Sequence, residues 1–305
     1  MSTDNRRERT AAALGFFDGL HIGHQAVIHS AVEAGKRLGT PVSVMTFRGE
    51  PELPKFGGRH DICLMTYDDK ERLLTGLGAE HIFAYEFRDI RDMSPEDFFR
   101  NIVIETMNAA YVCCGGDFRF GKGGRGNALL LGELCVQYGM GFEIVPPVCI
   151  GDIPVSSTRI RELIRGGDTE GAAVMLGRRL SYTLPVLRGR ALGRTIGFPT
   201  INQEIPAFMV HPKRGVYSST VILDGKEYAA VTNIGVKPTV KSDDAENMET
   251  HIIGFDGDLY GKAVRVELLR FIRGERKFGG LSELRQQLEA DKKTVIEKDI
   301  PTLSK

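Results

Sequence analysis

Apolar runs of strand length alternate with stretches of helical period through the first half of the chain. Ala11 to Leu14 is wholly apolar and reads as a buried strand. Gln25 to Leu38 puts Val27, Ile28, Ala31, Val32 and Leu38 on one side of a helix. Further strands are predicted at Pro41 to Phe47, His81 to Phe87, Ala110 to Cys114 and Gly141 to Val145. Further helices are predicted at Asp68 to Leu77, Asn127 to Tyr138 and from Ser156 to Ile164. Ser94-Pro95-Glu96-Asp97 starts another helix, with serine as the cap, proline first inside and acids in the first turn. This alternation predicts an α/β domain whose parallel sheet is covered on both faces. Ligands of such sheets gather beyond the carboxyl ends of the strands.

The pattern changes after about Gly167. A short helical piece from Glu170 to Leu176 gives way to strand patterns between Ser181 and Phe271. Leu223-Asp224-Gly225-Lys226 is a hairpin turn between Val216–Leu223 and Glu227–Val231. Val264 to Phe271 is another strand, and Leu281 to Ile296 closes the chain as an amphipathic helix. The second half therefore reads as a small antiparallel β-barrel with a terminal helix. The division expected is one domain over 10–167 and another over 178–305.

Composition sets outer limits. A length of 305 residues admits one large or two medium domains. Lys plus Arg equals Asp plus Glu at 40 each, which argues against a nucleic-acid partner. No apolar run reaches the roughly 18 residues of a membrane span. Met1 to Thr10 is polar and lacks the apolar core of a secretory signal, so the cytoplasm is the expected location. Cys63, Cys113, Cys114, Cys135 and Cys149 form no Cys-x-x-Cys pair and mostly sit in apolar runs, as buried reduced thiols do. Self-association is left open.

The run Gly15-Phe16-Phe17-Asp18-Gly19-Leu20-His21-Ile22-Gly23-His24 lies where the first strand hands over to the first helix. A helix start offers unpaired N–H groups and a positive dipole end to a phosphate. Gly19 and Gly23 allow close backbone approach, and histidines three apart can reach one triphosphate. Gly116-Asp117-Phe118-Arg119-Phe120-Gly121 is a glycine-flanked aromatic loop, which alone would be a turn packed on a core. Ser156-Ser157-Thr158-Arg159-Ile160-Arg161 opens a helix with hydroxyls and arginines, which alone would be an ordinary cap. The second half carries Gly193-Arg194-Thr195-Ile196-Gly197-Phe198-Pro199-Thr200-Ile201-Asn202, then Glu249-Thr250-His251 and Phe255-Asp256-Gly257-Asp258. Thr200 and Asn202 on an extended segment point the same way and offer oxygens to Mg²⁺ and phosphate. Glu249 could deprotonate an attacking hydroxyl; the bland reading is a solvated charge.

In this order and spacing the chain, from about residue 10 to 300, resembles the bacterial bifunctional riboflavin kinase/FAD synthetase family. The resemblance implies a Rossmann-like nucleotidyltransferase sheet followed by a flavokinase-like barrel. It implies phosphorylation of riboflavin to FMN with MgATP, then adenylation of FMN by a second ATP to FAD and pyrophosphate. Its substrates would be riboflavin, FMN and ATP, with Mg²⁺ as cofactor. For adenylyl transfer it implies an ATP site of Gly15, Phe16, Asp18, Gly19, His21, Gly23, His24, Ser156, Ser157, Thr158 and Arg161, with His21 and His24 catalytic. Asp117, Phe118 and Phe120 would line the flavin. In the kinase, Gly189, Gly193, Arg194, Gly197, Pro199, Thr200 and Asn202 would hold ATP, Thr200 and Asn202 the metal, and Glu249 would be the base.

Three positions depart from the family pattern. Phe47-Arg48-Gly49-Glu50-Pro51 stands where Phe-x-Pro-His-Pro is usual, with Arg48 as a substitute cation. Leu184 or Pro185 replaces a glycine, and Gly254 replaces an acid. The alternatives to the bifunctional reading are a riboflavin kinase with a weakened or inactive first domain, and a flavin-binding regulator without catalysis.

Overall fold

The computed structural model describes residues 8–48, 62–189, 193, 196–236 and 246–299. Contacts group the chain into two units, Met1–Arg59 with Thr66–Ser157, and His60–Met65 with Thr158–Lys305.

The first unit is built on five parallel strands: β1 (Thr10–Leu14), β2 (Val42–Phe47), β3 (His81–Tyr85), β4 (Ala109–Gly115) and β7 (Gly141–Val145). Their order is β3-β2-β1-β4-β7, so the order reverses between β1 and β4. That reversal opens a crevice beyond the strand ends. Around the sheet lie α1 (Ile22–Leu38), α2 (Tyr67–Gly76), α3 (Phe87–Ile90), α4 (Pro95–Phe98) and α5 (Ala128–Gln137). Two-residue strands pair as β5 (Arg119–Phe120) with β6 (Gly126–Asn127), and β8 (Cys149–Ile150) with β9 (Ile153–Pro154). Ala11, Ala12 and Ala13 are fully buried in β1, as the apolar run of a central strand requires.

The pattern needs correction at three places. The strand expected to reach Phe87 stops at Tyr85; the chain turns at Glu86, and the Phe87 ring packs edge-on against Phe47 at 5.8 Å. Leu38 is the last residue of α1, beside the Gly39 cap, and is half-exposed. The helix begun at Ser94 widens after Phe98 into a π-helical stretch, Phe99–Thr106, that buries Phe99, Ile102 and Val103. Among the cysteines, Cys63, Cys113, Cys114 and Cys135 are buried and Cys149 is exposed. Burial pushes the thiols of Cys113, Cys114 and Cys135 up to about 12, so they are protonated at neutral pH.

The second unit holds α6 (Ser157–Gly166), α7 (Thr169–Leu176), six antiparallel strands and the terminal helix α8 (Leu281–Lys298). The strands are β10 (Leu180–Pro185), β11 (Ile201–Ile205), β12 (Gly215–Leu223), β13 (Lys226–Val236), β14 (Glu246–Ile252) and β15 (Ala263–Arg273). They run in the order β10-β15-β12-β13-β14-β11. The Leu187 N–H donates to Asn202 O at 2.7 Å, and the buried Gln203 amide donates to Leu184 O and Val264 O. Together they tie β11 to the β10–β15 side and nearly close the sheet into a barrel. The β12–β13 hairpin turns on Asp224 and Gly225, both with positive φ, which matches the strand twist. A piece of the first half joins this unit: Ile62 and Cys63 donate N–H bonds to Phe208 O, and Cys63 O accepts from Val210 N.

Helix α8 is fastened to the outside of the barrel. Val295 packs with Val216, Ala229 and Val231. Asp299 accepts from Arg270 and Ser218, and Asp291 accepts three bonds from Arg273, at 2.8–3.2 Å. Asp291 is buried, and its removal takes three hydrogen bonds from the Arg273 guanidinium and leaves its bond to Gly274 O. Asp291→Ala is expected to cost about 3 kcal/mol of stability, read as a lowered urea midpoint for the second unit.

Candidate active sites

In the first unit the loop after β1 is conformationally strained. Phe17, Gly19 and Leu20 have φ of 52°, 79° and 39°. Two of these are not glycine, a cost of order 1–3 kcal/mol each that surroundings must repay. The Phe17 ring folds back over Gly15, where a Cβ would lie 2.8 Å from it. Lys70 of α2 repays part of the cost: its Nζ donates to Phe16 O and Phe47 O, both at 3.1 Å, and lies 4.6 Å over the Phe16 ring. Thr46 Oγ1 also donates to Phe16 O, and Ser157 Oγ to Asp18 O, both at 2.9 Å. Asp18 is buried.

His21 caps α1: its Nδ1 accepts from the His24 N–H at 3.2 Å. That bond leaves Nε2 as the proton-bearing nitrogen of a neutral ring. The two imidazoles stack at 3.6 Å between centroids, and Phe17 meets His24 edge-on at 5.4 Å. A Cβ on Gly23 would press on the His21 ring at 3.2 Å. The loop of Asp117 and Phe118 follows β4, the neighbour of β1 at the crevice. Asp117 is exposed and Phe118 half-buried, whereas Phe120 is a core residue against Phe98 at 5.1 Å. Arg48 is exposed, with Nε on Ala84 O and its guanidinium 5.6 Å from the Tyr67 ring centroid. Gly49, Glu50 and Pro51 lie outside the described residues.

Ser156 and Thr158 are exposed at the start of α6. Arg161 is buried, and its Nε donates to Ile62 O at 2.5 Å, which anchors the 62–65 segment.

In the second unit, register brings the chemistry together. Asn202 of β11 pairs with Glu249 of β14, and Glu249 pairs with Asn233 of β13. All three therefore share one face of the barrel wall. Asn247 donates from Nδ2 to Glu249 Oε1 at 3.0 Å and to Asn202 Oδ1 at 3.3 Å. Glu249 is exposed, while Asn202 and Asn247 are buried. The backbone of Gly189 lies so close to Asn202 that a Cβ would stand 2.5 Å from Nδ2. Gly193 accepts from Phe198 N at 2.8 Å and has no room for a side chain against Phe198 O; Gly197 has φ of 83°. Pro199 and Thr200 line a cavity of about 520 Å³ with Val186, Ile252 and the 255–260 loop. Arg194 lies outside the described residues.

Among the described residues no group of three His, Cys, Asp or Glu could cage a metal. Thr200 and Asn202 offer oxygens alone, which suits a hard cation arriving with phosphate ligands. Lys70 and Asn247 escaped the sequence reading. Lys70 carried a signal, a lysine on the same helical stripe as Leu74; Asn247 carried none.

His21 caps α1 with His24 stacked on it at the parallel sheet, Asn202, Asn247 and Glu249 share a wall of the antiparallel barrel, and the family matches make the chain a nucleotidyltransferase unit followed by a kinase barrel. The chain matches the FAD synthetase family over residues 3–159 and the riboflavin kinase family over 176–298. It is 34% identical over 292 residues to the bifunctional riboflavin kinase/FMN adenylyltransferase of Bacillus subtilis, covering 94% of this chain and 92% of that one. The Escherichia coli K12 enzyme of the same name is 32% identical, covering 95% and 93%. A crystal structure of a Streptococcus pneumoniae protein, described as a macrolide-efflux protein, matches with a TM-score of 0.82 at 31% identity, covering 95% of this chain and 94% of that one. The chain belongs to the family of bifunctional riboflavin kinase/FMN adenylyltransferases.

Lys70 is buried, so Lys70→Met leaves Phe47 O without this donor and Phe16 O with one fewer. The expected loss is about 1–3 kcal/mol, measured by urea unfolding, with Lys70→Arg in between.

Proposed function

We propose that residues 178–305 phosphorylate riboflavin to FMN with MgATP and that residues 10–167 adenylate FMN with a second ATP, giving FAD and pyrophosphate. The observation that carries this reading is the register of Asn202 against Glu249, with Asn247 bonded to both. Asn247 holds Oε1 of Glu249, which orients Oε2 of the same exposed carboxylate to take the proton of the ribityl 5′-hydroxyl. That hydroxyl then attacks the γ-phosphate of ATP. Catalysis is mostly positioning and charge neutralisation. Thr200 Oγ1 and a remaining lone pair of Asn202 Oδ1 would hold magnesium, which neutralises phosphate charge when bound. Gly189, Gly193, Arg194, Gly197 and Pro199 would carry the nucleotide phosphates along the same segment.

In the first domain the FMN phosphate attacks the α-phosphate of ATP. His21 would donate from Nε2 to the triphosphate, because Nδ1 is taken by the His24 amide. His24, stacked on it, and the N–H groups opening α1 would add to the same charge. Gly15, Phe16, Asp18, Gly19 and Gly23 would shape the loop, and Ser156 and Ser157 would complete the ATP site. Asp117 and Phe118 would meet the flavin, and Phe120 would support Phe118 by stacking at 5.8 Å. Neither the kinase-only reading nor the regulator has an observation in its favour. No helix among the described residues is long and apolar enough to cross a membrane. The cytoplasm and small-molecule partners are the setting we assign.

One assay tests the whole reading: riboflavin with MgATP, and chromatography for FMN and FAD. Glu249→Gln should cut FMN formation by ~10²–10⁴-fold while FAD still forms from supplied FMN. His21→Ala with His24→Ala should abolish FAD formation, since each lost donor is worth ~2.7–4 kcal/mol, and leave FMN formation intact. Wild-type protein that makes FMN but never FAD would sink the bifunctional reading.

A further inference from the structure

Strand β14 carries a third group on the Glu249 face. Met248 and Thr250 are fully buried inside the barrel, and Thr250 Oγ1 bonds Thr232 Oγ1 at 2.9 Å. Asn247, Glu249 and His251 alternate with them and line the other side of the wall. The β11–β14 ladder ends at Ile201 opposite Thr250. One step further, where Thr200 would face His251, no ladder pair forms. Instead His251 Nδ1 lies 2.9 Å from Pro199 O. A carbonyl only accepts, so Nδ1 is the donor. The His251 ring packs on Phe198, with centroids 5.0 Å apart and planes at 57°, and Lys292 of α8 stands 5.9 Å from the centre of the Phe198 ring. The Phe198–Pro199–Thr200 turn is thus held from β14 and from α8.

We propose that His251 is a positioning residue of the kinase: by donating from Nδ1 to Pro199 O it extends the β11–β14 register one residue past its end and fixes Thr200 relative to Asn202 and Glu249. The proposal rests on the kinase reading above. The environment keeps the ring in the form this bond needs. Burial holds the His251 pKa below the usual histidine value, the Lys292 charge lowers it further, and the Pro199 bond and Glu289 oppose them. The ring is therefore neutral at pH 7, with its proton on Nδ1 and Nε2 bare. A turn that grips nucleotide phosphates in ground and transition states alike acts on nucleotide binding more than on turnover.

Three variants separate the donor from the packing. His251→Phe keeps a ring against Phe198 and loses the donor. His251→Asn keeps a side-chain N–H within reach of Pro199 O and loses the ring. His251→Ala loses both. Losing one net hydrogen bond is on the order of a tenfold effect. So His251→Phe and His251→Ala should raise the KM for ATP in riboflavin phosphorylation about tenfold with kcat within about threefold, and His251→Asn should stay near wild type. FAD formation from supplied FMN should be unchanged in all three and serves as the folding control within the same chain. Calorimetric titration with ADP gives a second reading without turnover, and the His251→Phe protein should bind it about tenfold more weakly. Wild-type constants in His251→Phe, or equal damage in His251→Asn and His251→Phe, would overturn the proposal. Wild-type protein that forms no FMN would overturn the kinase reading itself, and the wild-type control tells the two failures apart.

Discussion

The kinase half depends on one pairing, the antiparallel register of β11 on β14. A slip by a single residue would turn Asn202 into the barrel and away from Glu249, because side chains alternate between faces. The register is guarded on both edges of β11. The ladder from Ile201 to Ile205 holds it against β14. On the other edge the Leu187–Asn202 bond and the Gln203 amide tie it to the start of the barrel. Gln203 is wholly buried and spends its donors on two carbonyls of different strands, so a polar side chain does there what a seventh strand would otherwise do.

The first unit solves a different problem. Its sheet is all parallel and its crevice is set by strand order alone, so precision has to come from the loop after β1. That loop is held in costly backbone conformations by groups outside it, the Lys70 ammonium and the Thr46 and Ser157 hydroxyls, and by its own Phe17 ring lying on Gly15. Such strain is stable only when several contacts over-determine it. Here they converge on the segment that ends in the stacked histidines.

Much of this was legible from residue patterns, because the patterns were local. The apolar run Ala11 to Leu14, the glycine-rich turn into α1, the Ser94 cap, the Asp224–Gly225 hairpin and the amphipathic α8 each state their own conformation. The α/β unit and the barrel follow from them. What escaped was set by residues far apart in sequence. Nothing near Phe120 says that its ring belongs to the core with Phe98 while Phe118 stays half-exposed. Lys70 looks like an ordinary surface charge until its carbonyl partners arrive from two other strands' ends. Asn247 becomes meaningful only once β14 is placed beside β11. The contiguous division at about residue 170 was also natural from texture, yet contacts place α6, α7 and the short 60–65 piece with the barrel unit. A four-residue stretch has too little periodicity to announce its partner.

That short piece has a consequence for how the protein is made. Ile62 and Cys63 bond to Phe208, and Cys63 to Val210, so the barrel unit needs residues that leave the ribosome long before the rest of it exists. At synthesis rates of about 5–20 residues per second, the interval is on the order of ten seconds. During it the first unit can complete its sheet while the stretch from Ile62 to Met65, with buried apolar side chains in the finished protein, has no strand to join. The growing chain must therefore keep an adhesive segment in reserve, and the emergence of the segment around Met209 is the moment at which it is claimed.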